Sequence, residues 1–482
     1  MTRFRTYLTL AGALLLPAAA MADAVADARA LLEQGEYTQA LENVRHELTL
    51  KANRSRSGAL SQIAGEAAYY LGLDNEAEEY FGKARSAGVA DAYLFSGRMA
   101  FSDYDFPQAA QYFSRYLELK EKASKEADPA AEKLKERSVE AQDMLERVEQ
   151  IQVFDRIDTD RDSFFAHYRL SPESGRLIPA EKIEKDYPGD ADITSAASPV
   201  FENEGRDFRL WSQIEGDEGT QYIYESSKLI GGDWSAPQQA DTVLNMNGDA
   251  AFPFMMADGT TLYFASNGDG SIGGYDIFRS NRDSETAEYQ APVNMGMPYN
   301  SPANDYLLAI DESTGIGWWA TDRNRLSDDK ITIYLFVPND LRRNYNTDET
   351  ENLASLARID NIEETWDTPD ADFSSLKTAL EELSAAATDT DAEQPDFIFP
   401  MGGGKAYRFL SDFRNPQARS LMERYLRAEK ELASLNSDLA ALRREWHPGS
   451  ADSQRILQLE AQAADKSAAL KELRNAVIKA EK

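Results

Sequence analysis

The sequence predicts an α + β multidomain chain: an N-terminal α-helical solenoid, a central β-propeller of about four blades, and a C-terminal antiparallel helical hairpin. Three observations carry that reading. A block of short alternating runs recurs three times in the middle of the chain, small residues recur at helical-repeat spacing before it, and two heptad seams flank a Pro-Gly break after it.

The central block is most legible from Phe252 to Pro292, where Asp-Gly-Thr-Thr-Leu-Tyr-Phe-Ala-Ser is followed by Gly-Gly-Tyr-Asp-Ile-Phe. Trp211, Phe264 and Trp318 lie 53 and 54 residues apart, Ile223, Ile277 and Ile333 repeat at 54 and 56, and Pro237 and Pro292 end matching segments 55 apart. Each copy is broken by Asp-Gly or Gly-Gly and so reads as a small antiparallel sheet. A sheet repeated at about 50 residues reads as a propeller blade. A shift of 145 places Phe252, Phe254, Met256, Gly259, Phe264 and Ser266 on Phe397, Phe399, Met401, Gly404, Phe409 and Ser411. Residues 397–411 therefore read as the first half of a blade, and Phe164 to Pro179 as its second half. Such a shared blade would pair strand edges that otherwise invite aggregation and close the ring. The third copy is read as ending late, at Trp366 to Pro369, with helical insertions at about 339–361 and 370–390, inside a propeller domain of 153–414.

These residues resemble the TolB-like, WD40-like β-propeller repeat family, most specifically over 249–292. The pattern is similar to cell-envelope proteins of Bacteroidetes-type bacteria in which tetratricopeptide helices precede the propeller. The resemblance implies a periplasmic or outer-membrane scaffold and names no reaction. Relatives often add an OmpA-like peptidoglycan-binding module, whereas a helical hairpin follows the propeller here, which argues against direct wall anchoring and for attachment through another envelope protein.

Arg3 and Arg5, an apolar stretch from Tyr7 to Ala20, and Ala20-Met21-Ala22 before Asp23 fit a cleaved secretory signal over residues 1–22. That stretch is too short for a membrane anchor, and no later span is long and apolar enough to cross a bilayer. The chain contains no cysteine, which excludes disulfides, thiolate metal sites and lipoprotein attachment. Its 482 residues give room for about three domains. The net charge of −32 excludes a nucleic-acid or anionic-lipid binder, since both need faces rich in Lys and Arg.

From Asp23 to about Lys122, Gly35, Tyr37 and Ala40 recur as Gly72, Asn75 and Ala77 and again as Asp103, Phe106 and Ala109. The alanine spacings of 37 and 32 lie near the ~34 of tetratricopeptide repeats. Paired helices need small residues where they approach closely. Tyr69, Tyr70, Tyr93 and Phe95 are the partner-binding candidates of this module, because interfaces draw their energy from a few aromatic anchors. A linker helix at about 129–152, within 123–152, leads to the propeller. Over 415–482, Leu421, Tyr425, Ala428, Leu432, Leu435, Leu439, Leu442 and Trp446 form one seam, and Ile456, Leu459, Ala463, Lys466, Leu470, Leu473, Val477 and Ala480 a second. His447-Pro448-Gly449 between them stops the first helix and permits reversal. The seam could serve intramolecular pairing or oligomerisation; the oligomeric state is left open.

No motif carries chemistry. His46, His167 and His447 fall in a helical repeat, an expected strand and a turn, so they form no zinc site. Met401-Gly-Gly-Gly-Lys405 lacks the first glycine and the hydroxyl of a phosphate loop. Asn267-Gly-Asp269-Gly-Ser271 starts like a calcium loop, but its twelfth position is Phe278, so calcium lacks a full motif and no cofactor is assigned. Three function classes follow: a noncatalytic envelope scaffold binding other envelope proteins, a glycan or peptidoglycan binder using Trp234, Trp318 and Trp319, and a propeller hydrolase. The first is the reading adopted.

Overall fold

The structure, a computed structural model, describes residues 24–123, 128–180, 183, 199–216, 219–230, 232–324, 329–347, 350–389, 397, 399–402, 405–407, 409–445 and 453–481. The signal-like segment 1–22, Gly404, Trp446 and the His447-Pro448-Gly449 break lie outside the described residues. The chain is α + β, helices preceding sheets, and divides into two compact units: Met1–Val148 with Asn346–Ala357, and Glu149–Tyr345 with Arg358–Lys482. Among the described residues no helix is long and apolar enough to cross a membrane.

The first unit is built from α1 (Ala24–Glu33), α2 (Tyr37–Thr49), α3 (Ser57–Tyr70), α4 (Asp74–Ser86), α5 (Ala90–Ser102), α6 (Phe106–Lys122) and α7 (Pro129–Leu145), each packed on the next in sequence where their faces are apolar. The turns inside the three helix pairs repeat one geometry, which the turn at Gly88 between α4 and α5 shares. Gly35, Gly72 and Tyr104 take left-handed φ values of 77°, 71° and 64°. Each donates its N–H back to a carbonyl of the preceding helix, and the next residue, Glu36, Leu73 or Asp105, reaches one residue further back. The pivot of the third copy is thus Tyr104, one residue later than the Asp103 of the sequence pattern. Ala40, Ala77 and Ala109 each stand five residues after a pivot and are fully buried. Twelve residues before those alanines stand Ala28, Gly65 and Gly97. Phe81 lies against Gly65 and Phe113 against Gly97, so a side chain is missing where a ring fills the gap between paired helices. Asp105 and Asp128 cap α6 and α7, accepting from the N–H of Gln108 and of Ala130.

Among the described residues the second unit holds three antiparallel sheets of four or five strands and one two-stranded hairpin. The first is β2 (Arg176–Ile178), β3 (Val200–Glu202), β4 (Phe208–Glu215), β5 (Thr220–Ser227) and β6 (Gln238–Gln239); the second is β7 (Ala250–Met255), β8 (Thr261–Ser266), β9 (Asp276–Asn281) and β10 (Val293–Asn294). In the third, β11 (Asp305–Asp311), β12 (Ile316–Thr321) and β13 (Lys330–Val337) are joined by β1 (Gln152–Asp160), which comes from the start of the unit. β7 packs on β3, β4 and β5, and β11 on β7, β8 and β9, around one apolar core.

The last two sheets share two local features offset by 55 residues. Phe252 and Leu307 have φ values of 55° and 42°, and the register breaks beside each, so both inner strands carry a bulge at the same place. Asp249 before β7 is bonded to Asn267 after β8, and Asn304 before β11 to Asp322 after β12, with the acid and amide exchanged. By that offset Trp319, and not Trp318, is the counterpart of Phe264. Both tryptophans are fully buried.

Ring closure by a shared blade is corrected. Phe164 to Pro179 is mostly not strand: Arg161–His167 and Pro172–Ser174 are short 3-10 turns, His167 among them, and only β2 pairs. This stretch runs from β1 to β2 across the inner strands, with Phe164 6.0 Å from Phe252 and 6.5 Å from Tyr306, ring centre to ring centre. The Tyr168 hydroxyl donates to the Leu307 carbonyl at 2.8 Å. Residues 397–411 supply only the hairpin β14 (Phe399–Gly402) and β15 (Lys405–Tyr407). Its alternating Phe399, Met401 and Tyr407 pack on Phe413, Met422, Tyr425 and Val477. The hydrophobic alternation was real, but it serves helices and not a blade. Described residues therefore hold three sheets of four or more strands, where four blades were expected.

Trp366 to Pro369 does not end the third sheet either. That place belongs to β1, whose outer edge is covered: Val153 N–H donates to Thr365 Oγ1 at 2.9 Å, and Trp366 Nε1–H to the Val153 carbonyl at 2.7 Å. The helices α8 (Leu353–Arg358) and α9 (Ser374–Asp389) fall in the two expected insertions. α10 (Pro416–Glu445) and α11 (Ser453–Glu481) run antiparallel, since Glu481 at the end of α11 accepts from the N–H groups of Arg414 and Asn415 at the start of α10. Lys466, polar within the second seam, reaches across to Glu431 at 2.6 Å.

Candidate functional site

Of the four aromatic candidates in the helical unit, three are brought together. The last turn of α3 places Tyr69 and Tyr70 beside one another, and Tyr37, the first residue of α2, stacks on Tyr70 with centroids 4.8 Å apart. Phe95 on α5 meets Tyr69 edge-on at 5.5 Å and stacks on Phe81 at 5.2 Å. The set grades from inside to outside: Phe95 is 7% exposed, Tyr69 half-buried and Tyr70 49% exposed. Burial of its ring, and then the Glu66 charge, raises the Tyr70 phenol above its ordinary pKa. The guanidinium of Arg98 lies 5.4 Å from the Phe95 ring. Leu71 and Leu73, in the turn after α3, are also exposed.

Tyr93 stands apart from this group. It lies 6.2 Å from Tyr112, over which the Arg85 guanidinium sits at 4.9 Å. Arg85 in turn binds Glu78 at 2.5 Å and the Ser96 hydroxyl, so the surroundings of Tyr93 are a polar helix contact. Sequence reasoning missed Tyr37, because it occupies the start of a helix where only tertiary packing brings it onto α3.

In the sheet unit two of the three candidate tryptophans are not offered to a ligand and the third, Trp234, is partly covered. Trp318 and Trp319 are sealed in the core, and Trp234 lies under the Arg209 guanidinium at 3.8 Å. The oxygens of the calcium-like loop face different partners. Asn267 bonds Asp249, Asp269 accepts from Asn247 at 2.7 Å, and Ser271 donates to the Ser266 carbonyl. Among the described residues no three metal-ligating side chains converge.

A polar cluster that sequence reasoning missed gathers where the inner strands begin. Asp249 accepts from the Gln221 N–H at 2.9 Å and from the Tyr275 hydroxyl at 2.7 Å; Asp322 accepts from Arg161 at 3.0 Å. Tyr275 N–H reaches across to Asn304 at 3.0 Å, tying the second sheet to the third as Gln221 ties the first to the second. Burial, and the bond to Asp249, push the Tyr275 phenol far up; burial and the Asp322 charge do the same to Tyr306. Asp249 thereby joins two sheets, whereas Asp322 uses its oxygens within the third, on Asn304 and Arg161. The signal lay in two Asp/Asn pairs of equal separation, 249 with 267 and 304 with 322, whose identities are swapped. Behind them Asp276 and Asp305 are fully buried, Asp305 paired with Arg323 at 2.7 Å. Burial pushes Asp276 up to about 7, although the N–H groups of Ile272 and Gly273 donate to it.

Compared with models of known families, with curated proteins and with solved structures, the chain matches none.

Proposed function

We propose that the chain is a noncatalytic scaffold of the cell envelope, periplasmic and peripheral to the outer membrane, that docks other envelope proteins through its helical unit. The observation that carries this reading is the half-exposed Tyr70, backed by Tyr37, Tyr69 and Phe95 and continued by exposed Leu71 and Leu73. A rigid aromatic held by other rings loses little entropy on binding and suits a protein interface. The repeated turn and the Gly65/Phe81 and Gly97/Phe113 contacts, 32 residues apart, support a tetratricopeptide-like stack. The bulge and Asp/Asn pair repeated at 55 residues support propeller-type repeats for the sheets. Glycan binding has less support, since Trp318 and Trp319 are enclosed and Arg209 covers one face of Trp234.

Crosslinking and affinity capture from envelope extract, using the full chain and its Tyr70→Ala and Leu73→Glu variants, tests the reading. Both positions are exposed, so the variants should fold and lose the proteins captured by the parent. Unchanged partners in both variants, or capture of glycan in place of protein, would refute it.

A further inference from the structure

A cavity of about 250 Å³ opens in the sheet unit at the turn between β7 and β8, the end of β7 opposite Asp249. One side of its wall is apolar, formed by Phe201, Phe208, Met255 and Met256, the rest carries polar side chains such as Ser174 and Asn203, and Arg282 lies in it. That arginine is only loosely paired. Its Nη2 meets Glu225 only at 3.4 Å, where a charged pair in good contact closes to ~2.8 Å. The guanidinium carbon sits 5.4 Å from the centre of the Phe208 ring, which fixes its plane beside the wall. Exposed Glu173 and Glu204 stand on the lining as well.

We infer that this cavity binds an apolar α-amino acid. Arg282 would take the carboxylate, the side chain would lie against Met255, Met256 and Phe208, and the glutamates would attract the ammonium group. The volume suits one residue, being smaller than the ~300–1,000 Å³ of pockets for drug-sized ligands. A guanidinium held by a long pair gains a closer charged partner when a carboxylate enters. The C-terminal residue of a peptide offers the same carboxylate and side chain without the adjacent ammonium. This site is independent of the docking surface around Tyr70.

Titration of the full chain with L-leucine, N-acetyl-L-leucine, L-leucinamide and N-acetyl-Gly-Gly-Leu, followed by calorimetry and saturation-transfer NMR, tests the assignment. L-leucine should bind saturably, and L-leucinamide at least about tenfold more weakly, the loss expected for a charge-assisted contact. Arg282→Gln should weaken L-leucine by a similar factor. Ala257→Trp, at an exposed lining position, should block the cavity without disturbing the core, and it carries the test should Arg282→Gln fail to fold. L-leucine binding more tightly than the acetylated peptide supports the amino acid. A peptide binding as tightly overturns that choice and assigns the carboxylate site to a chain terminus. No saturable binding of any carboxylate probe, equal binding of L-leucinamide, or unchanged affinity in a folded variant overturns the site itself.

Discussion

Adding one methyl group to Gly65 or Gly97 should destabilise the helical unit, although both lie inside helices, where alanine is ordinarily the better residue. A Cβ built on Gly65 falls 2.5 Å from one Phe81 ring carbon and 2.6 Å from the next; on Gly97 it falls 2.5 and 2.7 Å from Phe113. Both rings are fully buried, so neither can swing into solvent. Helix propensity favours alanine by ~0.8–1 kcal/mol. Overpacking a filled interior costs ~1–3 kcal/mol. The second effect wins, leaving a net loss of up to ~2 kcal/mol, which at ~2–4 °C per kcal/mol for a unit of this size is up to about 4–8 °C. Gly82 in α4 supplies the control: its nearest foreign atom is the Arg85 terminus at 3.8 Å, so Gly82→Ala should gain nearly the whole propensity term. Urea titration of the full chain at 222 nm, with hydrogen exchange read over α3 to α6, measures all three variants. Phe81→Leu should couple favourably to Gly65→Ala by at least ~0.5 kcal/mol in a double-mutant cycle. Should Gly65→Ala stabilise as Gly82→Ala does, the close approach inferred for the helix pairs is wrong.

Three other perturbations bear on the sheets. Asn267→Asp alone faces Asp249 with a second carboxylate and should cost about 1–3 kcal/mol, whereas adding Asp249→Asn recreates the arrangement of Asn304 and Asp322 and should restore most of the melting temperature; no recovery in the double variant would contradict the swapped-pair reading. Because burial and then the Asp305 charge raise Asp276 to about 7 against hydrogen bonds that favour its charged form, its contribution is fully present below its unfolded value near ~4 and is lost as pH rises through about 7. His167, lowered by burial, runs the other way, gaining stability as pH rises, so the difference between parent and Asp276→Asn in urea midpoint at pH 5.5 and 8.5 isolates the carboxyl. A difference that does not change between the two pH values would count against it. Trp366→Phe keeps an aromatic side chain but removes the pyrrole ring with its donor to the Val153 carbonyl, so it should cost at least about 1 kcal/mol and speed hydrogen exchange in β1, as read by peptide-resolved mass spectrometry.

Local chemistry determined much of this protein from its sequence. Helix and sheet regions, the insertions that became α8 and α9, and the paired C-terminal helices follow from periodicity, because a 3.6- or 2-residue repeat of apolar side chains can be buried in only one kind of element. The alanines 40, 77 and 109 were legible for the same reason. What periodicity left open was pairing. Phe399, Met401 and Tyr407 alternate as a blade strand would, yet two-residue alternation specifies a buried face and not the element that covers it. Only the fold put α10 and α11 there and gave the open edge of β13 to β1. The candidate site divides in the same way. Tyr69, Tyr70 and Phe95 could be chosen from one stretch of helices, but Tyr37 joined them and Tyr93 left them through helix packing. Likewise, Asp249 with Asn267 and Asn304 with Asp322 are ordinary turn residues in the sequence. They become pins between sheets only when backbone N–H groups distant in the chain arrive within hydrogen-bonding distance, which tertiary structure alone decides.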